Sequence, residues 1–236
     1  MEISKKLSII FFIFCSCFLK NTPVFAQQTI FNVPSADITS KNHIFLNPQL
    51  VFRSWAPGRF YAVTNYSALG IGYNSEIDVT LFNVNSPPAN NITLGTGFRS
   101  VIPIFSKKLP KREIKIIAGS QILASLQGQG VGNWSYGELS GRLPKLNTRL
   151  TTGVSFGTKQ VFDRNVVCFI AGYEQPVTKN FSLIADWFSG TNTFGLFTSG
   201  FSYTFPKNVD VLIGYQLPNN RTVGFSGFVI QIEKEF

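Results

Sequence analysis

The chain has little of what catalysis, metal binding or cross-linking requires. There is one histidine, His43, and three cysteines, of which Cys15 and Cys17 lie in an apolar stretch near the start. If that stretch is removed, Cys168 has no partner, which excludes a disulfide framework and a cysteine metal site. No segment repeats apolar residues at helical spacing, and no Pro-Ser or charge-rich linker divides the chain, which excludes a helical bundle and a two-domain layout. The apolar run from Leu7 to Leu19 is closed by Lys20, short of the roughly 20 residues of a spanning helix. Gly128-Gln129-Gly130-Val131-Gly132 lacks the lysine and the following helix of a phosphate loop. Asp37, Glu76 and Asp78 do not have calcium-loop spacing. Ser40 and Asp37 near His43 read as a turn and not as a triad, so no catalytic residue and no cofactor is expected.

What is present begins with a leader. Lys5 and Lys6 precede the apolar run, and Val24-Phe25-Ala26 offers small residues to a signal peptidase, so residues 1–26 read as a cleaved signal peptide and 27–43 as a short periplasmic N-terminal segment. Cleavage removes Lys5, Lys6, Lys20 and Glu2 and lowers the formal charge from +9 to +7. No basic helix or groove accompanies that excess, so nucleic acid is not an expected partner.

The remainder alternates. Ile77, Val79 and Leu81 oppose Glu76, Asp78 and Thr80; Ile92, Leu94 and Phe98 oppose Thr93, Gly95, Gly97 and Arg99; Val209, Val211, Ile213, Tyr215 and Leu217 oppose Asp210, Gly214 and Gln216. This is the period of a strand with one oily face and one polar face. About twelve such segments fit between residues 44 and 236, near 44–53, 60–72, 76–84, 91–101, 112–126, 132–141, 148–158, 165–174, 180–189, 195–205, 208–217 and 225–236. Each is close to the roughly 9 to 11 residues that cross a bilayer as a tilted strand. The segment from Asn165 to Glu174 is apolar on both faces, as a strand beside a packed lumen or a soluble sandwich core would be.

The segment 225–236 puts Phe228, Ile230, Ile232 and Phe236 on one face and Gln231, Glu233 and Glu235 on the other. With the signal peptide, this aromatic-ended strand resembles bacterial outer-membrane β-barrel proteins of porin-like type, with no specific subfamily. The resemblance implies an all-β fold, a transmembrane antiparallel up-and-down barrel of about twelve strands over residues 44–236, placed in the outer membrane of a Gram-negative-type envelope. It also implies that Phe228, Ile230, Ile232 and Phe236 form an assembly signal read by the barrel-assembly machinery. Lys234 departs from a uniformly apolar strand, as a lysine near an interface can by snorkelling.

In that topology the short turns after even-numbered strands are periplasmic, and they carry Lys107, Lys108, Lys111, Arg112, Arg142, Lys145, Lys179 and Lys207. That rim is expected to meet anionic headgroups or cell-wall polymer. Trp134 with Tyr136, Tyr173 with Trp187 around Pro176, and Tyr203, Phe205 and Tyr215 around Pro206 are expected in interfacial girdles. No loop is long enough to fold in as a plug. Glu76, Asp78, Arg99, Lys115, Arg149, Glu174, Asp186 and Glu233 are expected to line the lumen. Inward Gly95, Gly97, Gly119, Gly153 and Gly157 leave space there or relieve curvature. The expected function is passive diffusion of small hydrophilic solutes through a narrow pore, with outer-membrane lipids as surroundings and no enzymatic activity. The alternatives are a non-conducting structural barrel or anchor, then an outer-membrane enzyme or a secreted lipid-binding barrel.

Overall fold

The computed structural model describes residues 29–87, 92–105 and 112–236. The expected signal peptide lies outside them. Twelve strands follow one another: β1 (Ile44–Arg53), β2 (Phe60–Gly72), β3 (Ser75–Val84), β4 (Thr93–Pro103), β5 (Lys115–Ser125), β6 (Val131–Arg142), β7 (Arg149–Gly157), β8 (Val167–Pro176), β9 (Phe181–Phe188), β10 (Leu196–Phe205), β11 (Val209–Pro218) and β12 (Gly227–Glu235). A single helical turn, α1 (Lys159–Phe162), lies between β7 and β8.

Each strand pairs with its sequence neighbours, and β1 pairs antiparallel with β12, so the sheet closes and leaves no edge. The seam is completed beyond the strands, where Ile44 and Phe236 exchange backbone hydrogen bonds of 3.1 and 2.8 Å. Tight turns bring left-handed residues to one rim, with Tyr73 and Asn74 between β2 and β3 and Lys207 and Asn208 between β10 and β11. Apart from the connection between β4 and β5, which is on this same rim, the longer connections gather at the other rim.

Because side chains alternate, closure sorts them into two environments. The outer face is an exposed apolar belt that includes Ile77, Val79, Leu94, Phe98, Ile122, Leu139, Val154, Leu183, Phe201 and Ile213. A surface of this kind running round a closed barrel is built to meet lipid, since exposed apolar area on this scale is not tolerated in water. The fold is a transmembrane antiparallel barrel. Aromatic rings cluster at both ends of the belt. Tyr173, Tyr203 and Phe205 are exposed toward the short-turn rim, whereas Trp55 packs on Tyr215 and Phe228 at ring separations of 5.6 and 5.5 Å toward the long-loop rim.

Three girdle expectations are corrected by this register. Trp134 and Tyr136 face inward and are buried, because they share the parity of the buried Glu138 on β6. Trp187 and Tyr215 are outward, but each lies near the C-terminal end of its strand and so at the long-loop rim, away from the turns at Pro176 and Pro206. Lys234 reaches back to the carbonyl of Lys207 in the turn after β10, with its ammonium 5.7 Å from the Phe236 ring centre.

Phe228, Ile230 and Ile232 alternate with the buried Val229, Gln231 and Glu233 along β12. Ile232 is paired with Val211 on the outer face, well inside the belt. Ile232→Arg is therefore expected to destabilise the barrel by roughly 2 to 4 kcal/mol, the cost of a charge facing the bilayer midplane. Denaturant titration in liposomes measures this, and unchanged stability would remove Ile232 from the lipid face.

Candidate functional site

A twelve-stranded barrel is wider than the eight-stranded kind that side chains from the wall can fill. Here the added filling comes from the chain itself. Residues 29–40, expected as part of a periplasmic segment 27–43, lie within the barrel on their way to β1, which corrects that expectation for them, while Lys41 and Asn42 are exposed at the rim. Ile30, Phe31, Val33, Ser35, Ala36 and Thr39 are all buried. A tight turn, with the Ile30 amide donating to the Val33 carbonyl at 3.0 Å, puts Phe31 and Asn32 deepest in the lumen. The wall makes room for them: a Cβ at Gly172 would overlap Ile30, and one at Gly214 would overlap Phe31.

The segment is held by charged side chains from strands far apart in sequence. Asp186 on β9 accepts the amides of Phe31 (3.1 Å), Asn32 and Val33 (2.8 Å) through one carboxylate oxygen, an anion caught by successive backbone donors. Glu76 on β3 accepts the Thr39 amide and hydroxyl at 2.8 and 2.7 Å. Arg99 on β4 donates to the Asp37 carbonyl at 3.0 Å, and Lys115 on β5 donates to the Ala36 carbonyl at 3.1 Å. Arg149 on β7 pairs with the Asp37 carboxylate at 2.6 Å, and Thr29 donates to Glu233 on β12 at 2.9 Å. Glu174 on β8 reaches the segment through Arg149, 3.5 Å away.

All eight residues singled out from the alternation thus lie on the inner face. Seven of them belong to the seat of the N-terminal segment, and only Asp78 stays apart from it. His43, at the rim, is 3.2 Å from Glu235, whose same oxygen accepts the Ser40 amide at 2.9 Å.

At the centre of the seat is a buried ion pair. Arg99 donates to Glu76 through Nη2 (2.7 Å) and Nε (2.9 Å), and Tyr66 adds its hydroxyl at 2.7 Å; Glu76 is 0% and Arg99 2% exposed. Such a pair is tolerable only because the remaining lone pairs of Glu76 are used.

The inner face also holds Glu138 and Asp210, both buried, and Glu235, which alternation alone would have added. With Asp37, the lumen carries nine carboxylates among the described residues: Asp37, Glu76, Asp78, Glu138, Glu174, Asp186, Asp210, Glu233 and Glu235. Against them stand Arg99, Lys115, Arg149 and, lining the outer vestibule, Arg53. The net-basic chain has a net-acidic interior, while Lys145, Lys179 and Lys207 lie in the short turns.

Two cavities lie above the segment, toward the long-loop rim. The inner one, about 190 Å³, is bounded by Phe31, Phe82, Trp134, Tyr136, Phe188 and Phe194, with Asp78, Thr80, Arg99 and Gln121 at one end. A vestibule of about 530 Å³ lies beyond it, lined by Arg53, Phe60, Gln129, Gln160 and Gln216. Asn32, Gln49, Thr64, Phe82, Thr193, Phe194 and Leu196 border both. The connection 189–195 supplies Phe194, which packs on Phe162 of α1 at 5.1 Å, so a loop does fold inward, against expectation. The inward glycines do not all leave space: the Tyr136 ring lies against Gly119, and Phe162 against Gly157.

No family model and no curated sequence matches the chain. Among solved structures it is similar to an outer-membrane channel from Pseudomonas putida F1, with a TM-score of 0.44 and 8% identity over 92% of this chain and 100% of that one. It is also similar to the translocator domain of the autotransporter NalP from Neisseria meningitidis, with a TM-score of 0.39 and 13% identity over 82% of this chain and 87% of that one. A third is the ferric-catecholate import receptor Fiu from E. coli K12, with a TM-score of 0.27 and 11% identity over 76% of this chain and 31% of that one. At scores this low none of them informs the site.

Proposed function

We infer that the chain is an outer-membrane channel for small hydrophilic solutes, with a cation preference and with its own N-terminal segment as the gate. The observation that carries this reading is the polar, net-acidic lumen in which the segment is seated. An inert barrel is most stable with an apolar filling, whereas here charged groups from six strands converge on residues 29–39, and each can be hydrated if the segment leaves. The wall does not depend on the segment for closure, because the β-ladder is continuous without it.

Constant porin-like diffusion is replaced in this reading by gated diffusion. A non-conducting structural barrel is the second reading, favoured by the packed cluster of Val33, Ile117, Trp134, Ile170 and Phe188 that fills one side of the interior. The chain acts here as a passage and not as an enzyme.

Currents from refolded protein in planar bilayers decide between them. The intact chain is expected to open briefly and to pass potassium in preference to chloride, because lumen carboxylates set which ion enters. A steady current that favours chloride would overturn the reading. Silence from both the intact chain and a chain lacking the segment would leave the structural barrel.

A further inference from the structure

We propose that the inner cavity is a binding site for a small organic ammonium ion, a primary amine on a compact apolar body. The inference deepens the channel reading by naming a solute class; it rests on that reading for passage but not for binding.

Size sets the first limit. At about 190 Å³ the space somewhat exceeds the engineered cavity of about 150 Å³ that takes up benzene, so it suits a benzene-sized body with one short substituent. The walls set the second. Trp134 packs on Tyr136 at 5.1 Å and faces Phe194 in a near-parallel arrangement at 6.4 Å, and with Phe188 they form an aromatic wall of the kind that attracts a cation through the ring faces.

The polar lining sets the third limit, because among the described residues its unpartnered buried amide atoms are three acceptors and one donor, Gln49 Nε2. Asp78 is 3% exposed, and one of its oxygens accepts from Gln121 Nε2. Its other oxygen makes no hydrogen bond among the described residues. Gln121, Asn47 and Gln231 also border the cavity, and in each the amide nitrogen is committed: to Asp78 and Thr80, to Thr29 and Glu233, and to the Phe31 carbonyl. Their amide oxygens are left without partners. Arg99 is the one cation on the wall among the described residues, and its charge is matched by Glu76 at 2.7 Å, so Asp78 leaves this end with a net negative charge. A ligand that fits must donate and be positive.

Three probes of one shape, benzylammonium, benzyl alcohol and benzoate, test this on protein refolded in detergent. Binding is followed by Trp134 fluorescence in a Trp55→Phe/Trp187→Phe background and by calorimetry. Benzylammonium is expected to bind about tenfold or more tightly than the alcohol, and benzoate not at all. Asp78→Asn keeps an acceptor for Gln121 and should erase the preference for the amine. Thr64→Phe fills the space from the wall and should abolish binding of all three, with heat-modifiable gel mobility confirming that each variant is folded. Equal binding of amine and alcohol, an unchanged preference in Asp78→Asn, or no amine binding by folded protein would each overturn the proposal. Binding without current would sink the channel reading alone, and current without binding would sink this one alone.

Discussion

A chain shortened to begin at Lys41, refolded into a planar bilayer, is expected to carry a sustained current where the intact chain opens only briefly. The lost residues contribute Ile30, Phe31, Val33 and Ala36 to the buried interior. What they leave behind is hydratable: Glu76, Arg99, Arg149, Asp186 and Glu233 then face water in place of the segment's backbone groups and the Thr29, Asp37 and Thr39 side chains. A graded version separates gating from simple truncation. Asp186→Ala removes the acceptor shared by three consecutive backbone amides, and charge-assisted hydrogen bonds contribute about 1.5 to 3 kcal/mol. If that anchor contributes about 3 kcal/mol to seating, its loss should raise the ratio of open to closed time on the order of 100-fold, and Asp186→Asn should fall between. Identical traces from the shortened and intact chains would show that residues 29–40 do not control the path.

The second large effect falls on stability. Arg99→Leu is expected to destabilise the barrel by about 3 to 5 kcal/mol, because it leaves the Glu76 carboxylate buried without its counter-charge. The hydrogen bonds from Thr39 and Tyr66 remain, and they compensate only part of the loss. The double variant Arg99→Leu/Glu76→Gln should recover much of the cost, since the neutral amide keeps one oxygen to accept from Thr39 and can turn its NH2 to donate to the Tyr66 hydroxyl oxygen. Urea titration of the unaltered chain, Arg99→Leu, Glu76→Gln and the double variant gives the coupling directly. Additive losses in the double variant would mean that the two side chains act independently, contrary to their 2.7 Å contact.

Much of the architecture was legible before any coordinates. Period-2 alternation is local, so twelve strands, their approximate limits and the opposite parities of Ile232 and Glu233 could be read from single segments. Parity also bears on the aromatic rings. Trp134 and Tyr136 share a face with Glu138, which on a lipid-facing surface would be prohibitive, and that signal alone turns both rings inward. Strand position was equally countable: Trp187 lies far from the turn that precedes Phe181, so it belongs to the other rim.

The seat of the N-terminal segment was not legible in the same way. Residues 29–43 show no alternation and no helical spacing, and nothing in them indicates an inside or an outside. Their place is decided by Glu76, Arg99, Lys115, Arg149, Asp186 and Glu233, which become neighbours only when β1 closes on β12. The cavity has the same origin, since Asp78, Gln121, Trp134 and Phe194 come from four different parts of the chain. The strands, the sorting of side chains between lipid and lumen, and the acidic character of the inner face follow from local pattern, because alternation acts over two residues. What fills the lumen and where space remains depend instead on side chains brought together by closing the barrel, and no local pattern carries them.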